Sequence, residues 1–478
     1  MKGVLYDMKK NMKMIHNASM KVLAKTGMKF HHPGAIEVLK AHGIRVEGNV
    51  AYFTEDQVMY WVKKAPSGFT LYARNPKYNV YLGDDSVNPA PPYGAPTVIE
   101  KDGTRRDGTL LDYVNFAKLI HANEDFSVNG GLMIQPNDID IPTSCLAMFY
   151  ATMTHSDKAM MVSAGNAKQM QAMIDSAAVL FGGAEELKKY PRLATLVNTI
   201  SPLQIDDNMT EVLFAFAKAG QPIAVTNTAM AGSTSPVTLA GTMAMSNAEI
   251  LATIALAQMV NPGTPVLYCS NATAADMRTG AFMCGTPEQA ICYKYSGNMG
   301  KYYSLPTRGG GGESDAKVVN AQSGYEAMMN LMTSWQVGIN LMVHSVGILD
   351  SFNSVSYEKL IQDFEIIRYI KRINRDVTFD EESFALDLID QVGHDGEFLT
   401  QEHTFRHCRT ETINALVGVR GPCDQPATQV DTNIELRINS LMDSYVQPKI
   451  DDAVLAQIKD ILAEQGMDRA VLDRIETM

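Results

Sequence analysis

Short apolar segments alternate with helical stretches along most of the chain, and this alternation is the strongest constraint on its fold. Each segment has the length of a buried β-strand, and each following stretch carries apolar residues three and four positions apart. Strand followed by helix, repeated, predicts parallel strands joined by helical crossovers. Eight such segments can be read: APTVIE, SVNGGLMI, AMMVSAG, LATLVNTISP, PIAVTNTAMAG, PVLYCSNATA, SLPTRGGGG and NLMVHSVGI.

The number of units favours a closed barrel over an open sheet. Eight strands, each followed by a helix, predict an α/β protein with a (β/α)8 TIM barrel, which we assign to residues 89–374. Residues 1–88 mix strand and helix patterns and predict a small N-terminal α+β module. Residues 375–478 predict a C-terminal helical extension.

The acidic composition narrows the choice of partners. A formal net charge of −12 argues against nucleic acid or an anionic membrane surface. No apolar run reaches the ~20 residues of a membrane span, and the N-terminal stretch lacks the apolar core of a signal peptide. We therefore expect a cytoplasmic protein, and its acidic helical tail favours a homo-oligomer.

Cysteine and histidine do not form a metal-binding pattern. The six cysteines are scattered without a C-x-x-C pair, which is typical of buried apolar cysteines in an intracellular chain. The sequence EHTFRHC places His403 and His407 four residues apart but supplies no complete ligand set. We predict no metal site.

In a TIM barrel, chemistry takes place where the strands run into the following loops. The predicted strand ends are rich in Asn, Ser, Thr and Gly and poor in Lys, Cys and paired carboxylates. They carry Tyr93, Gln135, Asn198, Asn227, Thr228, Ser270, Asn271, the glycines before Glu313, His344 and Ser345.

This inventory excludes several classes of barrel enzyme. A Schiff-base aldolase needs a Lys at a strand end, and a metal-dependent hydrolase needs His-x-His or converging carboxylates. The glycine run in RGGGGESDAK lacks the Lys-Ser/Thr pair of a phosphate-binding Walker loop. The sequence instead predicts an uncharged, hydrogen-bonding pocket.

Several motifs resemble one known family. VNTISPL, TNTAMAGSTSPVTLAG, NPGTPVLYCS, GGGGESDAK and VHSVGILDS occur in the order typical of the trimethylamine methyltransferase (MttB-like) superfamily. The resemblance covers residues 10–470 and implies a TIM barrel. The founding members carry pyrrolysine, whereas this chain contains only standard residues, as in the non-pyrrolysine branch.

The resemblance to that branch implies a quaternary amine:corrinoid methyltransferase. Such an enzyme moves a methyl group from a betaine, such as glycine betaine, proline betaine, carnitine or γ-butyrobetaine, to Co(I) of a cognate corrinoid protein. The corrinoid is supplied by that partner, and none is expected to be bound tightly by this chain. Because the departing tertiary amine is neutral and Co(I) is the nucleophile, the enzyme needs no catalytic acid or base, which agrees with the predicted pocket.

The strand-end residues can be assigned to the parts of a betaine. Tyr93 and Phe352 would hold the cation on their aromatic faces. His344, Ser345 and the backbone N–H groups of Gly311 and Gly312 would bind the carboxylate. Asn198 and Asn227 would add contacts, and Glu313 completes the predicted pocket. We expect Arg308 to pair with Glu313 or Asp315.

The four glycines, Gly309 to Gly312, suggest two explanations. Backbone without side chains would leave the barrel mouth open for the corrinoid, so that a bulky residue at Gly311 or Gly312 would abolish transfer and leave the fold intact. Alternatively, the run is a tight bend with no ligand nearby.

Two other functions stay open on the sequence. A non-catalytic betaine-binding or regulatory barrel would bind betaine without acting on a corrinoid protein. A lyase acting on a small carboxylate is disfavoured, because no basic or metal-binding residue ends a predicted strand.

Overall fold

A ring of parallel strands forms the centre of the protein. The computed structural model describes residues 7–478, and within that range eight parallel strands make up the predicted barrel. The bounds of these strands are Asn88–Pro89, Val128–Gly130, Ala159–Val162, Leu193–Asn198, Ile223–Asn227, Val266–Ser270, Arg308–Gly309 and Leu341–Met342.

Backbone pairing shows two arcs that close on each other. The second to sixth strands form one continuous parallel sheet, and the seventh, eighth and first strands form another. Parallel bridges join the arcs on both sides, Tyr268 with Thr307 and Ala95 with Ile134. The (β/α)8 prediction is therefore confirmed.

One predicted strand is wrong. We expected APTVIE to be the first barrel strand, but Asn88–Pro89 takes that place by pairing with Leu341–Met342. Thr97–Ile99 instead lies between Arg105–Asp107 and Ser354–Val355 in a separate small sheet. Both stretches can be extended, and only the position of the eighth strand decides which of them closes the barrel.

Helices cover the outside of the barrel in the order that the alternation predicts. Their bounds are Leu110–Ala122, Ser144–His155, Ala167–Phe181, Ala184–Lys189, Asp207–Lys218, Leu239–Val260, Pro287–Tyr302, Ala321–Val337 and Tyr357–Asn374.

Helix Leu239–Val260 is the one described helix that is long and apolar enough to cross a membrane, but 78% of its apolar window is buried inside the protein. The N-terminal module supplies that cover. Helices Met8–Lys25, Pro33–Ala41 and Glu55–Val62 pack against it. The apolar surface of this helix therefore belongs to the core of the protein.

The N-terminal module also closes one end of the barrel. A small sheet contains Met28–Phe30, Arg45–Glu47 and Val50–Tyr52. The hairpin Gly68–Leu71 with Val80–Gly83 packs its apolar side chains against inward-facing barrel residues. The opposite end, where the strands run into their loops, stays available for a site. Short strands at that end are Met230–Ala231, Thr273–Ala274 and Ile348–Leu349.

The C-terminal residues form the predicted helical extension. The helices are Glu381–Phe384, Leu386–Val392, Glu402–Glu411, Gln429–Ser444, Asp452–Glu464 and Arg469–Thr477. The last three pack against the outer helices of the barrel, whereas the first three are mostly exposed. The domain boundaries at residues 88 and 374 remain predictions.

Candidate active site

Aromatic rings line one side of the barrel mouth. His344, which follows the eighth strand, lies edge-on to Tyr93 with ring centroids 6.3 Å apart. The His344 ring also contacts Phe352 at 4.8 Å, and Phe352 in turn contacts Phe282 at 5.7 Å. Tyr93, Phe282 and Phe352 are partly exposed, and burial of its hydroxyl raises the pKa of Tyr93 to about 12. The predicted Tyr93 and Phe352 thus come together in a wall of rings.

The backbone that presents these rings is unusual. His344 has a φ of +63°, and the consecutive residues Asp350, Ser351 and Phe352 have φ values of +52°, +54° and +70°. Left-handed backbone at residues other than glycine costs about 1–3 kcal/mol each and concentrates at functional sites. The Gly312 N–H donates to the His344 carbonyl at 2.8 Å. The glycine segment therefore helps to hold the ring wall in place.

Arg308 lies beside this wall and is only 1% exposed. Its Nη2 donates to Nε2 of His344 at 2.9 Å, and its Nη1 donates to Sγ of Cys269 at 3.3 Å. Within residues 7–478 no carboxylate forms an ion pair with it, and its Nε has no hydrogen-bond partner.

The expected pairing of Arg308 with Glu313 or Asp315 is therefore wrong. Asp315 accepts hydrogen bonds from the Cys284 N–H and the Ser351 hydroxyl. Glu313 contacts the hydroxyl of Tyr293 through Oε1, and neither of its oxygens contacts Arg308. The charge of Glu313 acts on Arg308 without a direct ion pair. A buried cation that no carboxylate contacts is costly, because its lost hydration is only partly replaced. This site therefore favours an anion from outside the chain.

The bond from Arg308 also fixes the proton on His344. A guanidinium can only donate, so Nε2 of His344 must accept, and the ring proton sits on Nδ1. Burial and the positive charge of Arg308 lower the pKa of His344 well below its usual value, which keeps the ring neutral. The buried Nδ1 has no partner among the described residues. Arg308 and His344 together offer unused N–H donors at the barrel mouth.

Glu313 occupies a second polar position at the end of the seventh strand. Burial raises the pKa of its carboxyl group to about 7. Its Oε1 lies 2.8 Å from the hydroxyl of Tyr293, which also contacts the Asn271 side chain at 2.5 Å. Within the described part of the chain, its Oε2 has no hydrogen-bond partner. Glu313 is thus a buried acid that can gain or lose its proton near neutral pH.

The donors of several other predicted residues are occupied. The Ser345 hydroxyl donates to the Met342 carbonyl at 2.6 Å. The Asn227 amide donates to Ser201 at 2.8 Å and to the buried Glu249, so that it organises the loops after the fourth and fifth strands. Asn198 is exposed at the end of the fourth strand. Of the predicted donor side chains that are buried at this mouth, His344 is the one with an unused N–H.

The glycine run is explained by close packing. A Cβ at Gly311 would lie 2.5 Å from Leu331, and a Cβ at Gly312 would overlap the backbone carbonyl of Ser345. The Gly312 N–H is already bonded to His344. The prediction that these glycines open the mouth and tolerate bulky residues without loss of the fold is wrong, because neighbouring protein atoms fill that space.

We expect Gly312→Ala to lower the free energy of unfolding by at least about 2 kcal/mol, since the new methyl group meets backbone that cannot swing away. Urea unfolding measures this. The matched control is Gly324→Ala in helix Ala321–Val337, where the nearest atom to a Cβ is 3.7 Å away. That change should stabilise by about 0.5–1 kcal/mol. Equal stability of Gly312→Ala and the unsubstituted protein would contradict the packing explanation.

Reasoning from the sequence missed part of this site. Arg308 was assigned to an ion pair, because charged residues usually are, and its freedom from carboxylates is visible only in three dimensions. Phe282 lies in a long loop after the sixth strand, and nothing in its local sequence marks it. Tyr293 lies on an outer helix and contacts Glu313 just after the end of the seventh strand. Asn271 was predicted at a strand end, and in the structure its side chain contacts the hydroxyl of Tyr293.

Comparison with known proteins matches almost the whole chain to one protein family. The family model described as trimethylamine methyltransferase (MTTB) matches residues 6–468. Glycine betaine methyltransferase of Desulfitobacterium hafniense is 40% identical over 457 residues, covering 95% of each chain. L-carnitine:corrinoid methyltransferase of Eubacterium limosum is 29% identical, covering 94% of this chain and 95% of its own.

A solved structure shares the fold at low sequence identity. Monomethylamine methyltransferase of Methanosarcina barkeri superposes with a TM-score of 0.54 at 11% identity, covering 94% of this chain and 87% of its own. At this identity the likeness concerns the fold alone, and it agrees with the barrel described above.

Proposed function

The chain belongs to the trimethylamine methyltransferase family, and from that premise we propose that it transfers a methyl group from a betaine to a corrinoid protein. The family membership confirms the resemblance in the motifs. Among betaines we propose glycine betaine, because the relative with that activity is 40% identical over 95% of this chain.

The observation that carries this proposal is the unpaired guanidinium of Arg308. Glycine betaine differs from trimethylamine by a carboxymethyl group on nitrogen, and the carboxylate of this group supplies the missing counter-ion. Arg308 and Nδ1–H of His344 would donate to it in a water-poor site, where such charge-assisted bonds are strong. Trimethylamine would leave the buried cation unpaired, so the site favours a zwitterionic substrate.

The quaternary ammonium end matches the aromatic rings that flank His344. Tyr93 and Phe352 present aromatic rings, and each ring under a cation contributes about 0.5–2 kcal/mol. Glu313 adds a carboxylate when it is ionised. Held at both ends, the substrate would present one N-methyl group in a fixed direction.

The transfer itself breaks one C–N bond and forms one carbon–cobalt bond. When bound at the mouth, the partner's corrinoid supplies Co(I) as the nucleophile. The electron pair of the C–N bond leaves with the nitrogen, so the product amine is neutral and needs no proton from the protein. The residues of this chain bind and orient the substrate, and they exclude water from it.

The test is a spectrum of the corrinoid protein. The cognate corrinoid protein is reduced to Co(I), mixed with this protein, and exposed in turn to glycine betaine, carnitine and trimethylamine. We expect methyl-Co(III) to form fastest with glycine betaine and not with trimethylamine. Binding of betaine without any methyl-Co(III) would replace the proposal with the non-catalytic betaine-binding function.

Substrate affinity should depend on the ionisation of Glu313. Because burial raises the pKa of Glu313 to about 7, this side chain is mostly neutral at pH 6 and mostly a carboxylate at pH 8. A carboxylate attracts the ammonium group and a neutral acid does not. We expect affinity to rise by up to about tenfold over this range, as measured by calorimetry.

Glu313→Gln is the matched control for this pH effect. The amide cannot ionise, so we expect a flat profile with the weaker affinity of the low-pH form. Neutral His344 cannot produce the effect, because its pKa lies well below its usual value. A pH dependence that persists in Glu313→Gln would show that another group is responsible.

A further inference from the structure

The segment after the barrel exposes large apolar side chains that a monomer has no reason to display. Leu399 is 82% exposed, Phe405 78% and Phe379 73%. Phe384, Leu386 and Ile389, on two short helices, are also more than half exposed. The rings of Phe379 and Phe384 lie with their centroids 6.4 Å apart. Exposed apolar side chains grouped in this way mark an interaction site in soluble proteins.

The same segment is strongly acidic. Residues 376–402 contain nine Asp and Glu and no Lys or Arg. Like charges this close repel one another and gain from a cationic partner surface. The partner surface should therefore combine positive charge with apolar contact.

The chain itself carries such a surface beside this segment. A cleft of about 410 Å³ is lined by five basic residues and one acidic residue. They are Arg368, Lys371, Arg372, Arg375, Arg409 and Asp125. Lys371 pairs with Asp125 and Arg372 with Glu411, but neither Arg368 nor Arg409 has an ion-pair partner within residues 7–478. Five cations in one cleft stand out in a chain with a net charge of −12.

The position of this surface excludes the corrinoid protein as its occupant. Helix Tyr357–Asn374 starts near the loops that carry the ring wall and runs to the other end of the barrel. The cleft lies along the C-terminal half of this helix and beside Asp125, which precedes the second strand. Both features place it near the end opposite the mouth, whereas a partner that receives the methyl group must reach the mouth.

We propose that this surface joins two copies of the chain. The acidic, apolar segment 376–405 of each copy docks on the basic cleft of the other, in a reciprocal contact around a two-fold axis. Ion pairs between the carboxylates of one copy and the arginines of the other select the register, and the exposed Phe and Leu side chains supply the buried apolar area. The contact is independent of the methyl-transfer proposal.

Light scattering after gel filtration of the full chain tests this contact. One chain weighs 52.4 kDa, and we expect a mass of at least twice that value for the unsubstituted protein at micromolar concentration. Leu399→Asp removes an apolar contact, and Arg409→Glu reverses a charge in the cleft. Each should raise the dissociation constant at least a hundredfold, so that the measured mass falls.

Met14→Asp is the control, since this side chain is 60% exposed on the N-terminal module, away from the segment. It should associate as the unsubstituted protein does. Circular dichroism checks that the variants fold, and their exposed positions make loss of folding unexpected. A 52.4 kDa monomer for the unsubstituted protein would overturn the proposal. An oligomer that survives both Leu399→Asp and Arg409→Glu would also overturn it.

Discussion

Arg308→Met is expected to lower kcat/KM for the betaine by about 100- to 1,000-fold. The substitution keeps an unbranched side chain of similar length and removes the buried charge that lacks a counter-ion. Losing one member of a buried, hydrogen-bonded charge pair costs about 2–5 kcal/mol of binding. The rate of methyl-Co(III) formation against betaine concentration measures the loss.

Two controls separate loss of binding from loss of folding. Without substrate, Arg308→Met should be at least as stable as the unsubstituted protein, because an unpaired buried cation opposes folding. Arg308→Lys keeps the charge but loses the planar arrangement of donors, so we expect an intermediate loss. Unchanged kinetics in Arg308→Met would show that the carboxylate binds elsewhere.

Lys359→Met is expected to lower the free energy of unfolding by about 3–5 kcal/mol. Lys359 and Asp363 form an ion pair on helix Tyr357–Asn374, and both side chains are 0% exposed. Lys359 Nζ also donates to the Gly312 carbonyl at 3.1 Å, and Asp363 accepts from the Gly347 N–H at 2.8 Å. Without the lysine, the carboxylate is left buried and unpaired. Urea unfolding measures the loss.

Two further variants test this explanation. Lys359→Met combined with Asp363→Leu should recover much of the stability, because no unpaired charge remains. Lys371→Met is the matched control on the same helix, since its ion pair with Asp125 is about one-third exposed and should contribute less than about 1 kcal/mol. Equal losses in Lys359→Met and Lys371→Met would contradict a special role for the buried pair.

The ion pair also connects stability to the site. Lys359 holds the carbonyl of Gly312, whose N–H holds His344, and Asp363 holds the loop three residues after His344. The strained backbone of His344 is therefore fixed from the last barrel helix through the glycine segment. We attribute the glycines to this close packing of two loops.

Sequence periodicity predicted seven of the eight barrel strands in place, because alternation of strand and helix is a local property of the chain. The first strand was misplaced, because NPAPPYGAP has no strand pattern and gains its role only by pairing with the eighth strand. The rule that functional residues follow the ends of barrel strands predicted the end of the barrel at which Tyr93, Glu313, His344 and Phe352 lie. It could not show that Ser345 and Asn227 use their donors within the protein.

The sequence by itself determined the fold class, the family and the end of the barrel at which the candidate site lies. These depend on repeated local patterns and motifs that are present in the chain before it folds. The tertiary structure alone decided that Arg308 has no carboxylate partner, that the proton of His344 is on Nδ1, and that Gly312 packs on a carbonyl. These features depend on distances between residues tens of positions apart in the sequence, which only the closed barrel sets.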